Sequence, residues 1–336
     1  MKTIDGSTGG GQLVRTSLAL AAVTDTAIQI EGIRGNRSDP GLKQQHLTGV
    51  ELVADICDAT VEGARPGAET LTFEPGVVRG GSYEVDVGTA GSLSLVFDTI
   101  LPLATVLDDA LSVTATGGTA VKWSPPLDFY EQVRLPLGRQ FGLATALERG
   151  RAGYYPVGDG RATLYLWPSE LSSVEFVDRG TLTGARVFSR ASADLAEDDV
   201  PERQRLQAVS QLSGADIEVV ESQTAISASA SPGSSLVTLL TFDDAIAGFD
   251  ALGEPGKPAE SVAQDAVDEA LAFLDVDAAV DRHSADQLLV FLALAGGQLR
   301  IPEITDHVAT SLELLDAFGY EIETAEDGES VVLTSD

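Results

Sequence analysis

The sequence predicts a mixed α/β (α+β) protein in which a large domain of three repeated α/β units carries a smaller inserted α/β domain. Apolar residues follow helical and strand periods in turn, and the order helix, strand, helix, strands occurs three times. About a hundred residues of a different pattern separate the second occurrence from the third. A chain of 336 residues, 43% of them apolar, can bury the core that such a fold needs.

The first unit begins with a predicted helix, "QLVRTSLALAAVTD", whose apolar residues recur at helical spacing. It continues with the strand "AIQIEGI", the helix "KQQHLTGVELVADICDA" and the short strands "TVEGA" and "ETLTFEP". The second unit contains the helix "SLSLVFDTILPLATVLD", the strand "LSVTATGG", a helix opened by proline in "PPLDFYEQVRLPLGRQFG" and the strand "RATLYLW". The third unit contains the helices "ADQLLVFLALAG" and "HVATSLELLDAFG" with the strands "QLRIPEI", "YEIETA" and "SVVLTS". We therefore predict a large domain at 1–175 and 278–336.

We predict that the segment between the second and third units, 176–277, forms the inserted domain. It combines a strand and a helix in "TGARVFSRASADLAEDDVPERQRLQAV" with the strands "ADIEVVES" and "SSLVTLLTFDD". A loop in "ALGEPGKPAE" precedes a last helix, which starts near Pro258.

The charge balance is strongly acidic, with 52 carboxylates against 21 bases, and only four of those bases are lysines. This composition is typical of a halophilic surface, because the Debye length falls to about 3 Å in molar salt and screens the self-repulsion. An acidic tail for basic partners is less favoured, since the acids are spread along the chain. Residues 1–161 have a net charge of −6 and residues 162–336 one of −25, a difference that an anionic ligand would explain.

The location is predicted to be cytoplasmic. The N-terminus lacks a cationic segment followed by an apolar run, and no apolar stretch is long enough to cross a membrane. The single cysteine, Cys57, lies in an apolar helical pattern and cannot form an internal disulfide, so we expect an inert core thiol.

A basic loop stands out in this acidic chain. The stretch "RGNRSDPGLKQQHL" places Arg34, Arg37 and Lys43 close to His46, with Asp39 as the opposing acid. Arginine forks suit bidentate phosphate contacts, so the loop is either a phosphate site or an ordinary exposed loop.

Glycine-rich loops in "GSTGGGQ" and "GTAGS" each precede a helix, where they form either tight turns or anion sites. Neither the P-loop pattern nor a strand-linked G-x-G-x-x-G occurs. Imidazole chemistry is limited to His46, His283 and His307, each of which is either a catalyst or a capped or surface residue. His307 follows the N-cap candidate Thr305, and a helix N-terminus would keep its ring neutral and nucleophilic.

Taken together, these segments resemble the RNA 3'-terminal phosphate cyclase family along most of the chain. The resemblance is carried by "DGSTGGGQLVRTSLALA", "IRGNRSDPGLKQQHLTGV", "FEPGVVRGGSYEVDVGTAGS", "GGTAVKWSPPLDF", "GYYPVGDG", "SADQLLVFLALAGG" and "HVATS", in the family's order. It implies the three-unit fold with its insert. It also implies a reaction that uses ATP, a divalent metal (Mg²⁺ or Mn²⁺) and RNA with a 3'-terminal phosphate, through a covalent histidine–AMP and an RNA adenylate, to give a 2',3'-cyclic phosphate.

The resemblance also implies roles for particular residues. His307 matches the histidine that becomes adenylylated. The cationic, polar and nucleotide-binding positions of the family fall on Arg34, Arg37, Gln45, His46, Asp286 and Gln287, and Pro126 and Tyr155 would help to shape the pocket.

Several positions depart from the family pattern. "GSTGGGQ" is shorter than usual and lacks a glutamate associated with metal and nucleotide handling, for which Asp5 and Asp98 are candidate replacements as metal ligands. Asp98 stands where glutamine is usual, Ser311 where asparagine is common, and His283, next to the nucleotide-binding pair, where tyrosine or another residue often occurs. Two alternatives therefore stay open: a non-catalytic cyclase-like protein that binds RNA in ribosome assembly or RNA processing, and a transferase that shares the repeated architecture.

Overall fold

Three units of the chain share one topology. A computed structural model describes all residues, Met1–Asp336. The first unit consists of β1 (Lys2–Asp5), α1 (Gly11–Val23), β2 (Ile28–Glu31), α2 (Gln44–Cys57), β3 (Thr60–Glu62) and β4 (Thr70–Glu74). Its sheet has the order β1-β2-β4-β3, in which β1 and β2 are parallel and the other neighbours antiparallel.

The second unit repeats this arrangement. It consists of β5 (Gly81–Asp86), α3 (Leu93–Ile100) with a 3-10 turn (Leu101–Thr105), β6 (Leu111–Gly117), α4 (Leu127–Phe129), a π-helical turn (Tyr130–Arg134), α5 (Leu135–Gln140), β7 (Thr145–Arg149) and β8 (Gly160–Leu166). The sheet order is β5-β6-β8-β7, again with only the first pair parallel. Ser92 is the N-cap of helix α3, and its hydroxyl accepts a hydrogen bond from Leu95 N.

The third unit is interrupted after its first strand. Strand β9 (Val174–Phe176) is followed by β10 (Leu182–Ser192), a 3-10 turn (Ala193–Leu195), α6 (Val200–Gly214), β11 (Val219–Ser227), β12 (Ser234–Phe242), β13 (Ile246–Leu252) and α7 (Ala259–Leu274). The unit then continues with α8 (Arg282–Ala295), β14 (Gly297–Ile301), α9 (Asp306–Phe318), β15 (Glu323–Asp327) and β16 (Ser330–Ser335). Its sheet order, β9-β14-β16-β15, repeats the first unit's, whereas strands β10 to β13 form a separate sheet, β11-β10-β12-β13.

The predicted mixed α/β class is confirmed, and one feature of the element order differs from the prediction. Each unit begins with a strand, β1, β5 or β9, that the helix-first pattern did not contain. These strands are only three to six residues long, and β1 and β5 are largely exposed, so each offers too few apolar positions for a clear strand period. The inserted strands therefore follow β9 within the third unit. The boundaries at 175/176 and 277/278 stay predictions.

One apolar cluster extends through all the sheets and includes the buried Cys57, whose thiol donates to Val53 O. The expected core position of Cys57 is confirmed, and burial raises the pKa of its thiol, as expected of an unreactive cysteine. The inserted strand β13 packs on the second unit where Gly248 lies against Val133 and Phe129. No helix has the length and apolarity needed to cross a membrane.

Candidate active site

Helix α1 begins in the glycine-rich loop with its first N–H groups free. Its N-cap, Gly10, has no side chain to accept from them, which leaves the helix N-terminus available to an anion. A Cβ at Gly11 would collide with Nε2 of His46, so only glycine allows the imidazole ring to lie against this end of the helix. The loop therefore brings α1 and α2 together around His46.

The ring of His46 is neutral and its proton can be placed. His46 lies in the first turn of α2, where its Nδ1 accepts a hydrogen bond from Lys43 N at 3.1 Å. An accepting Nδ1 leaves the proton on Nε2. Burial, followed by the charges of Arg15, Arg34 and Lys43, lowers the pKa of His46 to about 3. His46 is thus a fixed hydrogen-bond donor at the start of α1.

His307 occupies the corresponding place in the third unit, in the first turn of α9. Thr305 is the N-cap, as predicted, and its hydroxyl accepts from Val308 N at 3.2 Å. Partial burial of the His307 ring, followed by the charges of Arg37 and Arg15, lowers its pKa, against the opposing effect of Asp306. A neutral imidazole with no hydrogen-bond partner is available as a nucleophile.

Arg15 lies between the two histidines and is the residue that sequence reasoning missed. Its charge lowers the pKa of both His46 and His307, and it is near Asp98 and Asp286 as well. Arg15 forms no salt bridge, so its guanidinium is free to bind an anion. A signal was present in the sequence, because residues four apart share a helix face and Arg15 follows Gly11 by four.

The basic loop lies near the N-terminus of α1 and near His307. Arg37 is exposed and forms no salt bridge. Its guanidinium lies next to Gly10, since Nη2 is 3.7 Å from the position that a Cβ on this glycine would take. Arg34 has φ +56° and donates from Nη2 to Asp39 O at 3.3 Å, while its Nε is buried without a partner. Lys43 pairs with the Asp39 carboxylate at 2.5 Å. Arg37 is therefore the cation of the loop that is least engaged by the protein.

Gln45 lies in α2 of the first unit, beside His46, whereas Pro126 and Tyr155 lie in the second unit. Oε1 of Gln45 accepts from Ser92 N at 3.4 Å, which ties the first turn of α2 to the start of α3. Pro126 is the N-cap of α4, and Tyr155 is 78% exposed on the loop between β7 and β8. No contact in the structure joins Pro126 or Tyr155 to His307.

A cleft opens between α1, α3 and α8. Its walls include Arg15, Asp98, Arg134, Asp286 and Gln287. Asp98 pairs with Nε of Arg134 at 3.0 Å, and Nη2 of Arg134 donates to Gln287 O at 3.1 Å. Asp98 Oδ2, Arg134 Nη1 and Gln287 Oε1 are buried without partners, so the cleft contains polar groups that a ligand could satisfy.

The remaining histidine differs from the other two. His283 faces Glu269 of α7 at 3.7 Å. Glu269, with smaller contributions from Asp281 and Asp250, raises the pKa of His283 to about 9. His283 is therefore a cation at neutral pH, beside the predicted nucleotide residues Asp286 and Gln287.

The side chains do not form a resident metal site. No group of three or more His, Cys, Asp or Glu side chains is positioned to hold an ion. Asp5 accepts from Ser7 N at 2.9 Å and Asp98 is paired with Arg134, so each carboxylate already has a partner. Mg²⁺ is commonly held by one or two carboxylates together with substrate phosphates and water.

Comparisons with known proteins agree on one family. The family model described as RNA 3'-terminal phosphate cyclase matches residues 7–323. A protein of Halobacterium salinarum named RNA 3'-terminal phosphate cyclase is 40% identical over the whole length of both chains. Proteins of the same name from Pyrococcus furiosus and Methylococcus capsulatus are 38% and 39% identical, over 95% and 98% of this chain and 93% and 95% of theirs. The chain belongs to the RNA 3'-terminal phosphate cyclase family.

Proposed function

We propose that the chain is an ATP-dependent enzyme that converts an RNA 3'-terminal phosphate to a 2',3'-cyclic phosphate. The observation that carries the proposal is the neutral, unpartnered His307 at the N-terminus of α9, facing Arg37 and Arg15. The non-catalytic RNA-binding alternative is not favoured, because the relatives are named as cyclases. The transferase alternative would leave this histidine without a role.

In the first step, the unprotonated ring nitrogen of His307 attacks the α-phosphorus of ATP. The bond to the bridging oxygen breaks, pyrophosphate leaves, and the ring loses its other proton to solvent. The ring needs to be neutral, and burial with the charges of Arg37 and Arg15 favours that state. The same two guanidiniums stabilise the charge that develops on the phosphoryl oxygens.

In the second step, an oxygen of the RNA 3'-phosphate attacks the adenylyl phosphorus. The P–N bond breaks and the ring nitrogen regains a proton, which restores neutral His307. The 2'-hydroxyl next to the activated phosphate then loses its proton and attacks the 3'-phosphorus, and AMP leaves. Arg34 and Arg37 would hold the RNA phosphate, and Nε2–H of His46 would donate to one of its oxygens.

The nucleotide would occupy the cleft beside α8. Asp286 and Gln287 line it, and the unpartnered Gln287 Oε1 is a ready hydrogen-bond acceptor. We place Gln45, Pro126 and His283 at the edge of this nucleotide and phosphate site, and Mg²⁺ or Mn²⁺ as a companion of the ATP phosphates. A cytoplasmic location, which supplies ATP and RNA, fits these substrates.

The test is covalent labelling. The protein is incubated in molar KCl with α-labelled ATP and Mg²⁺ or Mn²⁺, and acid-labile bound AMP is measured. The native chain should become labelled and His307→Ala should not. A labelled His307→Ala variant, or an unlabelled native chain, would overturn the enzymatic proposal. A labelled native chain is then given 3'-phosphorylated RNA, which should remove the label and acquire a cyclic end.

A further inference from the structure

Trp123 combines two features that a structural role does not explain. Its side chain is 94% exposed, more than any other large hydrophobic side chain of the protein. Its backbone has φ +64°, in the left-handed region that bulky residues rarely adopt. Such conformations persist where the surroundings impose them and concentrate at functional sites.

The loop that carries Trp123 is fixed at both ends. Thr119 N donates to Gly153 O at 2.8 Å, and Gly153 N donates back to Oγ1 of Thr119 at 2.9 Å. At the other end, Oγ of Ser94 donates to Pro125 O at 2.7 Å. Between them, Lys122 pairs with Glu254 of the inserted segment at 3.1 Å. The indole is thus held outward from an anchored loop.

This loop is connected to the phosphate site. Gln45, which precedes His46, accepts from Ser92 N at 3.4 Å. The hydroxyls of Ser92 and Ser94 are 2.8 Å apart, and Ser94 holds Pro125, two residues after Trp123. These bonds tie the Trp123 loop to the first turn of α2, which carries His46.

A second feature of the same loop favours nucleic acid. A shallow cleft lies against Thr119 and Ala120, and its other walls carry four arginines: Arg149, Arg151, Arg161 and Arg190. This is a concentration of arginines in a chain with 52 carboxylates and only 21 bases. Buried Asp128 holds Arg149 at 2.5 Å and Arg190 at 2.9 Å, which fixes the floor of the cleft.

The two other arginines are available at the surface. Arg151 and Arg161 are 47% and 49% exposed, and their partners are the exposed carboxylates of Asp159 and Glu84. Exposed ion pairs contribute about 0–1 kcal/mol, so these carboxylates can give way to a phosphate that accepts two N–H bonds.

We propose that Trp123 is a stacking platform for a base of the RNA substrate upstream of its 3' end, and that Arg151 and Arg161 contact backbone phosphates of the same strand. The inference rests on the proposed function and extends it by assigning a path to the RNA body. A basic groove with an aromatic platform is the usual arrangement for single strands, and stacking tolerates any base sequence.

The test uses the fact that the chain has only two tryptophans. The other, Trp167, stacks on Tyr165 with ring centroids 6.2 Å apart, and Trp167→Phe leaves Trp123 as the single indole reporter. This variant is titrated in molar KCl with an oligouridylate that carries a 3'-phosphate. We expect saturable quenching of Trp123 fluorescence, and no such quenching with ATP alone. Absence of quenching by the RNA, or equal quenching by ATP, would overturn the proposal.

Affinity provides a second measurement. Trp123→Ala should weaken RNA binding by about 5- to 150-fold, which corresponds to about 1–3 kcal/mol per stacked base. Trp123→Phe keeps a ring and should recover most of the affinity, which a purely structural role of the indole would not predict. Arg151→Ala and Arg161→Ala should each remove about one phosphate contact, which lowers the slope of log affinity against log salt concentration by about one. Unchanged affinity in Trp123→Ala sinks the stacking role.

The outcome is separable from that of the proposed function. Covalent AMP labelling of the Trp167→Phe parent reports on His307 chemistry and needs no RNA. If the parent is labelled with AMP but RNA does not quench Trp123, only the proposed RNA path is overturned. If the parent is not labelled but RNA quenches Trp123, only the catalytic proposal is overturned. Quenching by a protein from the same cells, without quenching by RNA, would reassign the surface to a protein partner.

Discussion

The side-chain amide of Gln12 donates a hydrogen bond to Oγ of Ser311 at 2.8 Å. This bond joins α1 of the first unit to α9 of the third. Ser311 lies one helical turn after His307, and Arg15 lies nearly one turn after Gln12. The Gln12–Ser311 contact therefore ties the helix of the proposed nucleophile to the helix that carries Arg15, one of the cations that lower the pKa of His307.

Ser311→Ala should slow covalent labelling of His307 more than it destabilises the fold. Loss of one neutral hydrogen bond costs about 0.5–1.5 kcal/mol, but α9 is then free to shift relative to α1. The rate of AMP labelling and the urea midpoint in molar KCl provide the two measurements. Thr310→Ala, on the same helix but without a side-chain hydrogen bond, is the control. Equal labelling rates in the two variants would contradict the positioning role.

Arg37→Ala should reduce the use of 3'-phosphorylated RNA by about ten- to a hundredfold with little change in stability. A charge-assisted hydrogen bond contributes about 1.5–3 kcal/mol, and Arg37 forms no salt bridge whose loss would affect folding. The measurement is cyclisation rate against RNA concentration. Arg79, also exposed and free of salt bridges, is the matched control, and Arg79→Ala should behave like the native chain. A similar loss in both variants would point to general charge instead.

The sequence could predict the elements whose periodicity is strong and the residues whose role depends on local position. Thr305 could be recognised as an N-cap, and His46 and His307 as equivalent positions, because caps and repeats are local patterns. The first strand of each unit could not be predicted in this way, since β1 and β5 are short and mostly exposed.

Long-range pairings also escaped prediction. Asp98 and Arg134 are 36 residues apart and meet only because the π-helical turn returns Arg134 to α3. A carboxylate without an obvious partner in the sequence is a reasonable metal candidate, and only the fold reveals that a guanidinium pairs with one of its oxygens, Oδ1. Arg15 lacked an expected role for the same reason, because its neighbours come from α2, α8 and α9.

The rate of His307 labelling should fall with decreasing pH, with a midpoint below the ordinary histidine pKa of about 6.5. Only the neutral ring attacks, and burial with Arg37 and Arg15 lowers the pKa of His307. Removing the charge of Arg37 should raise the midpoint pH of labelling, and removing the carboxylate of Asp306 should lower it. Single-turnover labelling of Arg37→Ala and Asp306→Asn across the pH range checks both signs. Coincident profiles would show that these charges do not set the protonation of His307.

Burial of neutral His46 should make the fold sensitive to acid. The unfolded state binds a proton near pH 6.5 and the folded state only near pH 3, so stability falls as the pH drops through this window, by up to about 1.4 kcal/mol per pH unit. His46→Asn, whose amide oxygen can still accept from Lys43 N, should remove this slope from urea unfolding curves. His283→Asn serves as a control of opposite sign, because the pKa of His283 is raised to about 9 and its contribution is lost as the pH rises through that value.

Asp286 should give ATP binding a dependence on pH near neutrality. Burial, with a smaller contribution from Asp98 and against the opposing charge of Arg15, raises the pKa of Asp286 to about 7. If its carboxylate accepts from a nucleotide hydroxyl, ATP binds the deprotonated form better and affinity increases as the pH rises through about 7. Asp286→Asn cannot titrate, so the ratio of the ATP Kd of the variant to that of the native chain should grow from acid to alkaline pH. Taking the ratio cancels the titration of ATP itself. A ratio that stays constant would place Asp286 outside the nucleotide contacts and assign the elevated pKa to burial alone.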